Sequence, residues 1–599
     1  RTPSDYKKLK TTLSLPETRQ REDLIQVLIR KATEFLRHIR RTRRSVHKSG
    51  DREEKAMWAG PDRRCLSLVV LLCCLATHSS GQRQRDFYSS VSTLSDLIHL
   101  EKEVKANLLE YVEHLKFVHD SILNFVHERQ PYEEMTSPSA VFDYLKHPVH
   151  AFHMTKRMTV GLGTIESHIH TMRQYDPLVN ITEMRRQRLL PWDEDFNGLA
   201  ASLIRLQDTY FLNLNELTKG HLRTEIPRNQ TVPGRLPLSA RDCFYISQVA
   251  MHQGFYDRAV EWSEQAISKA AGEEPPTITR QELDPFHESV IKKHDEVLRT
   301  MGETGRNWQT YGVPVRDRTK RSMEFKAQLF NEDLPLDLET QNYKRLCRGE
   351  QLRTPKMDSK LRCRYYKGQH GFFKLQPIKV EEANLKPYIV VMHNVIQDRD
   401  IEDLMAFAKP RLQRSTHYGV RGMEASQVRT SSNAWLNDLD APVATRLNRF
   451  LRSLLGLGTT YLGGEAEQYQ LANYGIGGQY MSHHDYLQDT YHIPNRVTDD
   501  FEKTSGDRIA TLMVYMSDVE EGGATVFPSL GVRLTPKKGD AAFWWNLKTS
   551  GEGEKLTKHG GCPVLYGSKW IANKWFRSNS NMFRLPCLTD KKASLGPLV

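Results

Sequence analysis

No apolar run in this 599-residue sequence approaches the roughly 18 residues that a bilayer-crossing helix needs, which argues against a membrane span. No methionine precedes Met57. The 56 residues before and beside it are strongly basic, with sixteen Lys/Arg against eight Asp/Glu, or +8 of the chain's net +12. With that segment set aside the charge is only mildly positive, which removes nucleic acid as an expected partner. Cys-x-x-Cys spacing is absent, so a thiolate zinc site has no support. There is no Lys-Asp-Glu-Leu type signal at the end, which reads "SLGPLV".

What is present begins with "MWAGPDRRCLSLVVLLCCLATHSSGQ". Arg63 and Arg64, an apolar run from Cys65 to Ala76 and a small-residue zone have the layout of a secretory signal peptide. Residues 57–81 are read as that signal and residues 1–56 as a translated leader outside the fold. The length and the 39% apolar composition predict a globular chain of two to four domains. Secretion makes disulfides available. Once Cys65, Cys73 and Cys74 leave with the signal, five cysteines remain: Cys347 and Cys363, Cys562 and Cys587, and a lone Cys243. Two local bridges and one buried thiol are the simplest partition. Asn180 and Asn229 stand in Asn-x-Thr sequons that this compartment makes usable as glycosylation acceptors.

From about Asp86 the pattern is helical. Val104, Leu108, Tyr111, Leu115, Val118, Ile122 and Phe125 alternate spacings of four and three, as in a coiled-coil seam. "RDCFYISQVAMHQGFYDRAVEWSEQAI" (241–267) has the marks of one tetratricopeptide unit, with Gly254 and Tyr256 at its turn and Ala259 and Ala266 where the helices cross. Residues 272–335 turn polar, with a single modest helix expected around 285–300 and no second complete unit. After Pro335 the texture becomes β. Short runs such as "RIATLMVYMSD" and "DAAFWWNL", punctuated by Gly522-Gly523 and "KKGD", suggest a sandwich or jelly roll.

The chemistry concentrates in "GGQYMSHHDYLQDTYH" (477–492). On a strand, residues i and i+2 share a face, so His483 and Asp485 can converge on one ion while His484 points away. With 23 histidines, His-x-Asp arises by chance about once, so the pair needs a distant partner. "TKHGGCPVLYGSKW" supplies His559 and, ten residues on, Lys569. Two histidines and one carboxylate leave coordination positions open, as suits non-haem Fe(II) that also binds substrate and oxygen. Lys569 can hold the remote carboxylate of a dicarboxylate co-substrate.

"NYGIGGQYMSHHD", "RIATLMVYMSDVEEGGATVFP", "PKKGDAAFWWNL", "SGEGEKLTKHGGCPVLYGSKWIANKW" and "FRLPC" closely resemble the collagen prolyl 4-hydroxylase alpha-subunit family. The likeness runs from about residue 86 to 588, includes "FYSSVSTLSDLIHLEK" and "HPVHAFHMTKRM", and is interrupted between roughly 272 and 335. It implies a multidomain chain, an α-helical N-terminal half followed by a C-terminal double-stranded β-helix. The domains expected are a helical dimerisation domain (82–232), a tetratricopeptide-like peptide-binding domain with a degenerate second repeat (235–300), a linker with a local disulfide (301–385) and an Fe(II)/2-oxoglutarate dioxygenase domain (386–590). Also implied are Fe(II) on His483, Asp485 and His559, and 2-oxoglutarate on Lys569 with Tyr474 and Thr511 lining its pocket. Trp575 would lie near the peptide. The reaction expected is hydroxylation of peptidyl proline at C4, coupled to conversion of 2-oxoglutarate and O2 to succinate and CO2, with L-ascorbate keeping the iron reduced. Implied too are disulfides Cys347–Cys363 and Cys562–Cys587, collagen-like or proline-rich substrates, a protein disulfide isomerase beta subunit in an alpha2beta2 assembly, and the endoplasmic reticulum lumen. Two departures stand out: His484 where relatives have an aromatic, and the altered 272–335 region. The second keeps open a prolyl hydroxylase for short or non-collagen proteins; a catalytically weak binding or chaperone subunit is the other alternative, against which the complete set of His483, Asp485, His559 and Lys569 speaks.

Overall fold

The computed structural model describes residues 90–597, apart from 138–139, 142–156, 175–177, 188, 192, 225–229, 235, 302–326, 368–369, 420–421, 426–428, 492–497 and 587. The leader, the signal segment, Asn229, Cys587 and His492 therefore lie outside the described residues. Helices α1 (Val91–His127), α2 (Leu162–Gln174), α3 (Asp193–Tyr210), α4 (Ala240–His252), α5 (Tyr256–Ala270), α6 (Arg280–Met301) and α7 (Leu336–Cys347) make up most of the first half. Among the described residues no helix is long and apolar enough to cross a membrane.

The 37-residue α1 packs through its C-terminal half on α2, where Phe117 meets His168 at 4.9 Å and the Arg157 guanidinium covers the Phe125 ring at 4.2 Å. The predicted seam runs along α1, with Val104, Tyr111, Val118, Ile122 and Phe125 half-buried but Leu108 and Leu115 exposed. Helices α4 and α5 form the expected hairpin. Ser239 and Asp242 make a reciprocal capping box, Gly254 takes φ +81° at the turn, and Ala259, Trp262 and Ala266 are fully buried. The helix expected around 285–300 is longer. It begins at Arg280 because Thr279 and Glu282 cap it, its first turns accommodate Pro285, and it packs on α5.

Among the described residues, the second half carries one nine-stranded and one four-stranded antiparallel sheet, beside two two-stranded ribbons. Strands β1 (Cys363–Tyr366), β2 (Ile378–Asn384), β3 (Ile389–His393), β4 (Gln413–Arg414), β5 (Ser432–Leu436), β6 (Tyr469–Tyr474), β7 (Tyr480–His483), β8 (Arg508–Tyr515), β9 (Thr525–Phe527), β10 (Val532–Leu534), β11 (Ala541–Trp545), β12 (His559–Gly561) and β13 (Lys569–Arg577) are joined by helices including α8 (Asp398–Ala408) and α9 (Pro442–Leu455). The large sheet has nine strands in the order β1-β2-β3-β11-β8-β13-β6-β5-β4, and the small one four, β7-β12-β9-β10. Strands β1 and β2 pair into the large sheet, so β structure starts inside the stretch expected to be a linker.

Strand alternation gives the large sheet two different faces. Ala510, Leu512, Val514, Phe543 and Phe576 pack with α8 and α9 in one core; Met513, Tyr515, Trp544 and Ile571 pack with Phe527, Val532 and Leu534 of the small sheet in another. Each such large apolar side chain, fully buried, contributes roughly 1.5–3 kcal/mol.

The cysteine expectation is corrected. Cys347 at the end of α7 bonds Cys562, 215 residues away, and not its neighbour Cys363, which is a free exposed thiol. Cys562 is therefore unavailable to Cys587. The packing of α7 beside β12 brings the two sulfurs together, which sequence proximity cannot anticipate. Cys243 is buried and free, as expected, and burial pushes its thiol up to about 12.

Candidate active site

Antiparallel register sets the two histidines face to face: His483 of β7 is the direct partner of His559 of β12. Asp485 lies two residues past the end of β7, still in phase with His483. The ligand atoms of His483, Asp485 and His559 all lie within 4.8 Å of one another, the only such group of three or more among the described residues. Nε2 of His483 is 3.5 Å from one Asp485 oxygen and Nε2 of His559 is 3.7 Å from the other.

Both imidazoles are oriented through their far nitrogen. Nδ1 of His483 meets the Met481 carbonyl at 2.9 Å, and Nδ1 of His559 meets the Thr557 carbonyl at 3.0 Å. A ring that donates Nδ1–H to a carbonyl turns the Nε2 lone pair inward, the arrangement of a metal-ligating histidine. Burial pushes His559 down to about 4, so its ring is neutral at physiological pH. Burial also disfavours charge on Asp485, but His559, His483 and Arg508 outweigh it and hold the carboxyl well below the usual range. Tyr480 stacks on His483 at 3.6 Å and Trp544 meets His559 edge-on at 4.7 Å, closing the apolar wall.

Lys569 stands at the start of β13, opposite Tyr474 of β6. It is 2% exposed, its Nζ is 3.4 Å from the Thr525 hydroxyl and 5.7–5.8 Å from the Tyr474 and Tyr515 rings, and burial alone pushes it down to about 7. Among the described residues no carboxylate pairs with it. Tyr474 is buried beside it. The Thr511 hydroxyl donates to Asp485 at 2.7 Å and accepts from Asn546 at 2.8 Å. Trp575, opposite Thr511 on β13, is buried beneath the Arg508 guanidinium at 4.0 Å and lies 6.4 Å from the half-exposed Trp435.

His484 points out of the site, as alternation requires. Its Nδ1 meets Asp489 at 2.6 Å, its Nε2 the Lys555 carbonyl at 3.2 Å, and its ring stacks on Tyr486. Burial lowers its affinity for a proton despite Asp489. Asn546, Tyr480 and Arg508 escaped the sequence reading. Arg508 alone had a signal there, as the single charge opening an otherwise apolar strand. It makes a double ion pair with Glu467 at 2.6 and 2.8 Å.

Residues 90–224 match the family described as prolyl 4-hydroxylase alpha-subunit, N-terminal region, and residues 469–577 match the 2OG-Fe(II) oxygenase superfamily, which spans all three metal-facing residues and Lys569. The chain is 33% identical over 535 residues to prolyl 4-hydroxylase subunit alpha-2 of Gallus gallus, and 34% over 539 to prolyl 4-hydroxylase subunit alpha-1 of Homo sapiens. Each alignment covers 84% of this chain and 95% of the relative. Among solved structures it is similar to the viral collagen prolyl hydroxylase of Paramecium bursaria Chlorella virus-1 in its 2OG complex, 26% identical over 32% of this chain and 95% of that one, with a TM-score of 0.23. By its identity to these alpha subunits over nearly their whole length, the chain belongs to the prolyl 4-hydroxylase alpha-subunit family.

Proposed function

We propose that this chain is the catalytic alpha subunit of a procollagen-proline 4-dioxygenase, an Fe(II)- and 2-oxoglutarate-dependent prolyl 4-hydroxylase. The observation that carries it is the convergence of His483, Asp485 and His559 within 4.8 Å, with the buried Lys569 on the facing sheet. The donor set suits Fe(II): two imidazoles and one carboxylate on one side of an ion leave the other side for co-substrates. When bound, Fe(II) supplies the oxidising chemistry that couples decarboxylation of 2-oxoglutarate to transfer of one O2 oxygen to C4 of proline.

The chain's own residues hold, orient and exclude. Thr511, backed by Asn546, fixes one Asp485 oxygen and so the direction in which the other points. Lys569 receives the remote carboxylate of 2-oxoglutarate, which restores the charge that burial disfavours, and Tyr474 walls the same pocket. Trp575 and Arg508 lie toward the peptide side. L-Ascorbate is the reductant assigned to keeping the iron ferrous.

The two sheets support a double-stranded β-helix (jelly-roll) description, and α4–α5 a tetratricopeptide-like peptide-binding unit. The half-exposed seam of α1 supports an alpha-alpha contact within an alpha2beta2 assembly, with a protein disulfide isomerase beta subunit as the partner that retains it in the endoplasmic reticulum lumen. A second reading, short or non-collagen proline-rich substrates, is favoured by α6. It closes on α5 through a buried His294 that bridges Asp257 (2.7 Å) and Asp295 (2.9 Å), where a further repeat would otherwise stack.

The test is turnover of 2-oxoglutarate with Fe(II), ascorbate and a Pro-Pro-Gly peptide, using protein co-expressed with a disulfide isomerase. Stoichiometric 4-hydroxyproline, lost in His483→Ala and kept in His484→Ala, is expected. No turnover of any proline-rich peptide by folded, iron-loaded protein would refute the enzyme reading in favour of a binding subunit.

A further inference from the structure

The small sheet bears both histidines, and its β12 strand is held from outside by one helix of the N-terminal half. Helix α7 touches the residues flanking His559 at three points. Glu339 pairs with Lys558 at 2.8 Å, the Tyr343 hydroxyl donates to the Gly561 carbonyl at 2.9 Å, and Cys347 is bonded to Cys562. One attachment lies immediately before the histidine and two follow it within three residues. Tyr343 is 3% exposed, so its hydroxyl bond competes with no bulk water.

Helix α7 is itself moored. Lys344, the next residue, is buried and meets Asp208 of α3 at 2.6 Å, and the same carboxylate receives Arg258 of α5 at 3.4 Å. The hydroxyl of Tyr210, at the end of α3, donates to the Pro563 carbonyl at 2.5 Å, and Arg205 of the same helix reaches the Gly477 carbonyl at 3.3 Å. The strands that carry the metal-facing histidines thus rest on a continuous buried polar seam running back to the peptide-binding hairpin.

We propose that α7 is a positioning element for the metal site, with Tyr343 as the positioning residue that fixes the β12 backbone and thereby the reach of His559 Nε2. The inference rests on the iron reading of that site. Tyr343 touches no reacting group and acts through Gly561 and the strand. Groups bonded directly to a metal ligand typically change affinity 10–100-fold when lost, and one bond further out the expected effect is about three- to tenfold.

The experiment measures Fe(II) binding to the full chain anaerobically by calorimetry, together with succinate formed per hydroxyproline and the melting temperature of the metal-free protein. Tyr343→Phe removes only the hydroxyl. It is expected to raise the Fe(II) Kd about three- to tenfold and the succinate-to-hydroxyproline ratio above that of the parent. Glu339→Gln, which frees Lys558 from its ion pair, is expected to act in the same direction by about twofold and covers the case in which Tyr343→Phe fails to fold. Tyr388→Phe, which deletes an equally buried hydroxyl that accepts from Arg364, is expected to change melting without changing Kd. A parent-like Kd in both α7 variants overturns the proposal, as does an equal rise in Tyr388→Phe, which would mark a general loosening. Absence of Fe(II) binding by the parent chain overturns the iron reading itself.

Discussion

Strand β13 carries two buried lysines five residues apart, on opposite faces of the large sheet, and they are not alike. Lys574 faces the helices, lies 3.9 Å from Asp438 and covers the Tyr469 ring at 4.1 Å. Lys569 faces the small sheet, where, among the described residues, it has a long contact to the Thr525 hydroxyl and two tyrosine rings but no carboxylate. Burial pushes both down, Lys574 to about 8 and Lys569 to about 7, the latter with no acidic side chain opposing it. A buried cation with a protein counter-charge is part of the framework, whereas one facing a metal site without such a counter-charge is arranged for an anion from outside. The same division holds for neighbouring residues: Leu512 on the helix side packs, and Thr511 beside it donates to Asp485.

Substitutions can break that contrast. The largest expected effect is His559→Ala or Asp485→Ala, which removes one of three donors; loss of detectable Fe(II) binding and of hydroxylation is expected, and residual iron-dependent turnover near the parent rate would disprove the ligand assignment. Next, Lys569→Met is expected to raise the KM for 2-oxoglutarate by about 100-fold or more, from loss of a charge-assisted contact in a dry site. Lys574→Met is expected to leave that KM within about twofold, and similar effects of the two would erase the distinction.

Protonation sharpens it further. In the absence of ligand, Lys569 is charged below about pH 7 and neutral above it. Binding an anion therefore takes up a proton at higher pH, and 2-oxoglutarate affinity is expected to fall by up to about tenfold per pH unit above 7. The stability sign is the reverse of an ion-paired lysine. The unfolded chain binds the extra proton between about pH 7 and the ordinary lysine range, so folded metal-free protein gains stability as pH rises through that window. Lys569→Met is expected to lack that rise, read as melting temperature against pH. Thr511→Val, which leaves Asp485 without its hydroxyl donor, is expected to weaken Fe(II) about tenfold. The smallest change belongs to His484→Phe. It keeps the stacking surface against Tyr486 and loses the Asp489 and Lys555 carbonyl contacts, both outside the metal site, so activity within about twofold is expected, and a larger loss would place His484 in the chemistry.

The metal pair was legible because strand alternation is a local rule: His483 and Asp485 share a face and His484 cannot. His559 and Lys569 were legible by their motif context, and their placement followed from register, His483 opposite His559 and Tyr474 opposite Lys569. Thr511 was singled out from the motif, yet its bond to Asp485 depends on how two sheets stack, which no local pattern encodes. Asn546 and Tyr480 left no trace at all, being an ordinary amide and an ordinary aromatic until packing aims them. The cysteines failed for the same reason in reverse: closeness in sequence suggested local bridges, and the docking of α7 onto β12 set Cys347 beside Cys562 instead.

What the sequence alone determined is the part of this protein that short-range stereochemistry controls: helices, then strands, a His-x-Asp pair on one face, and motifs extended enough to mark a family. What only the tertiary structure decided is which groups meet across hundreds of residues. The counter-charge given to Lys574 and withheld from Lys569, the hydroxyl on Asp485 and the helix braced against His559 all depend on packing in three dimensions. Burial changes the energy of a charge only once its neighbours are in place.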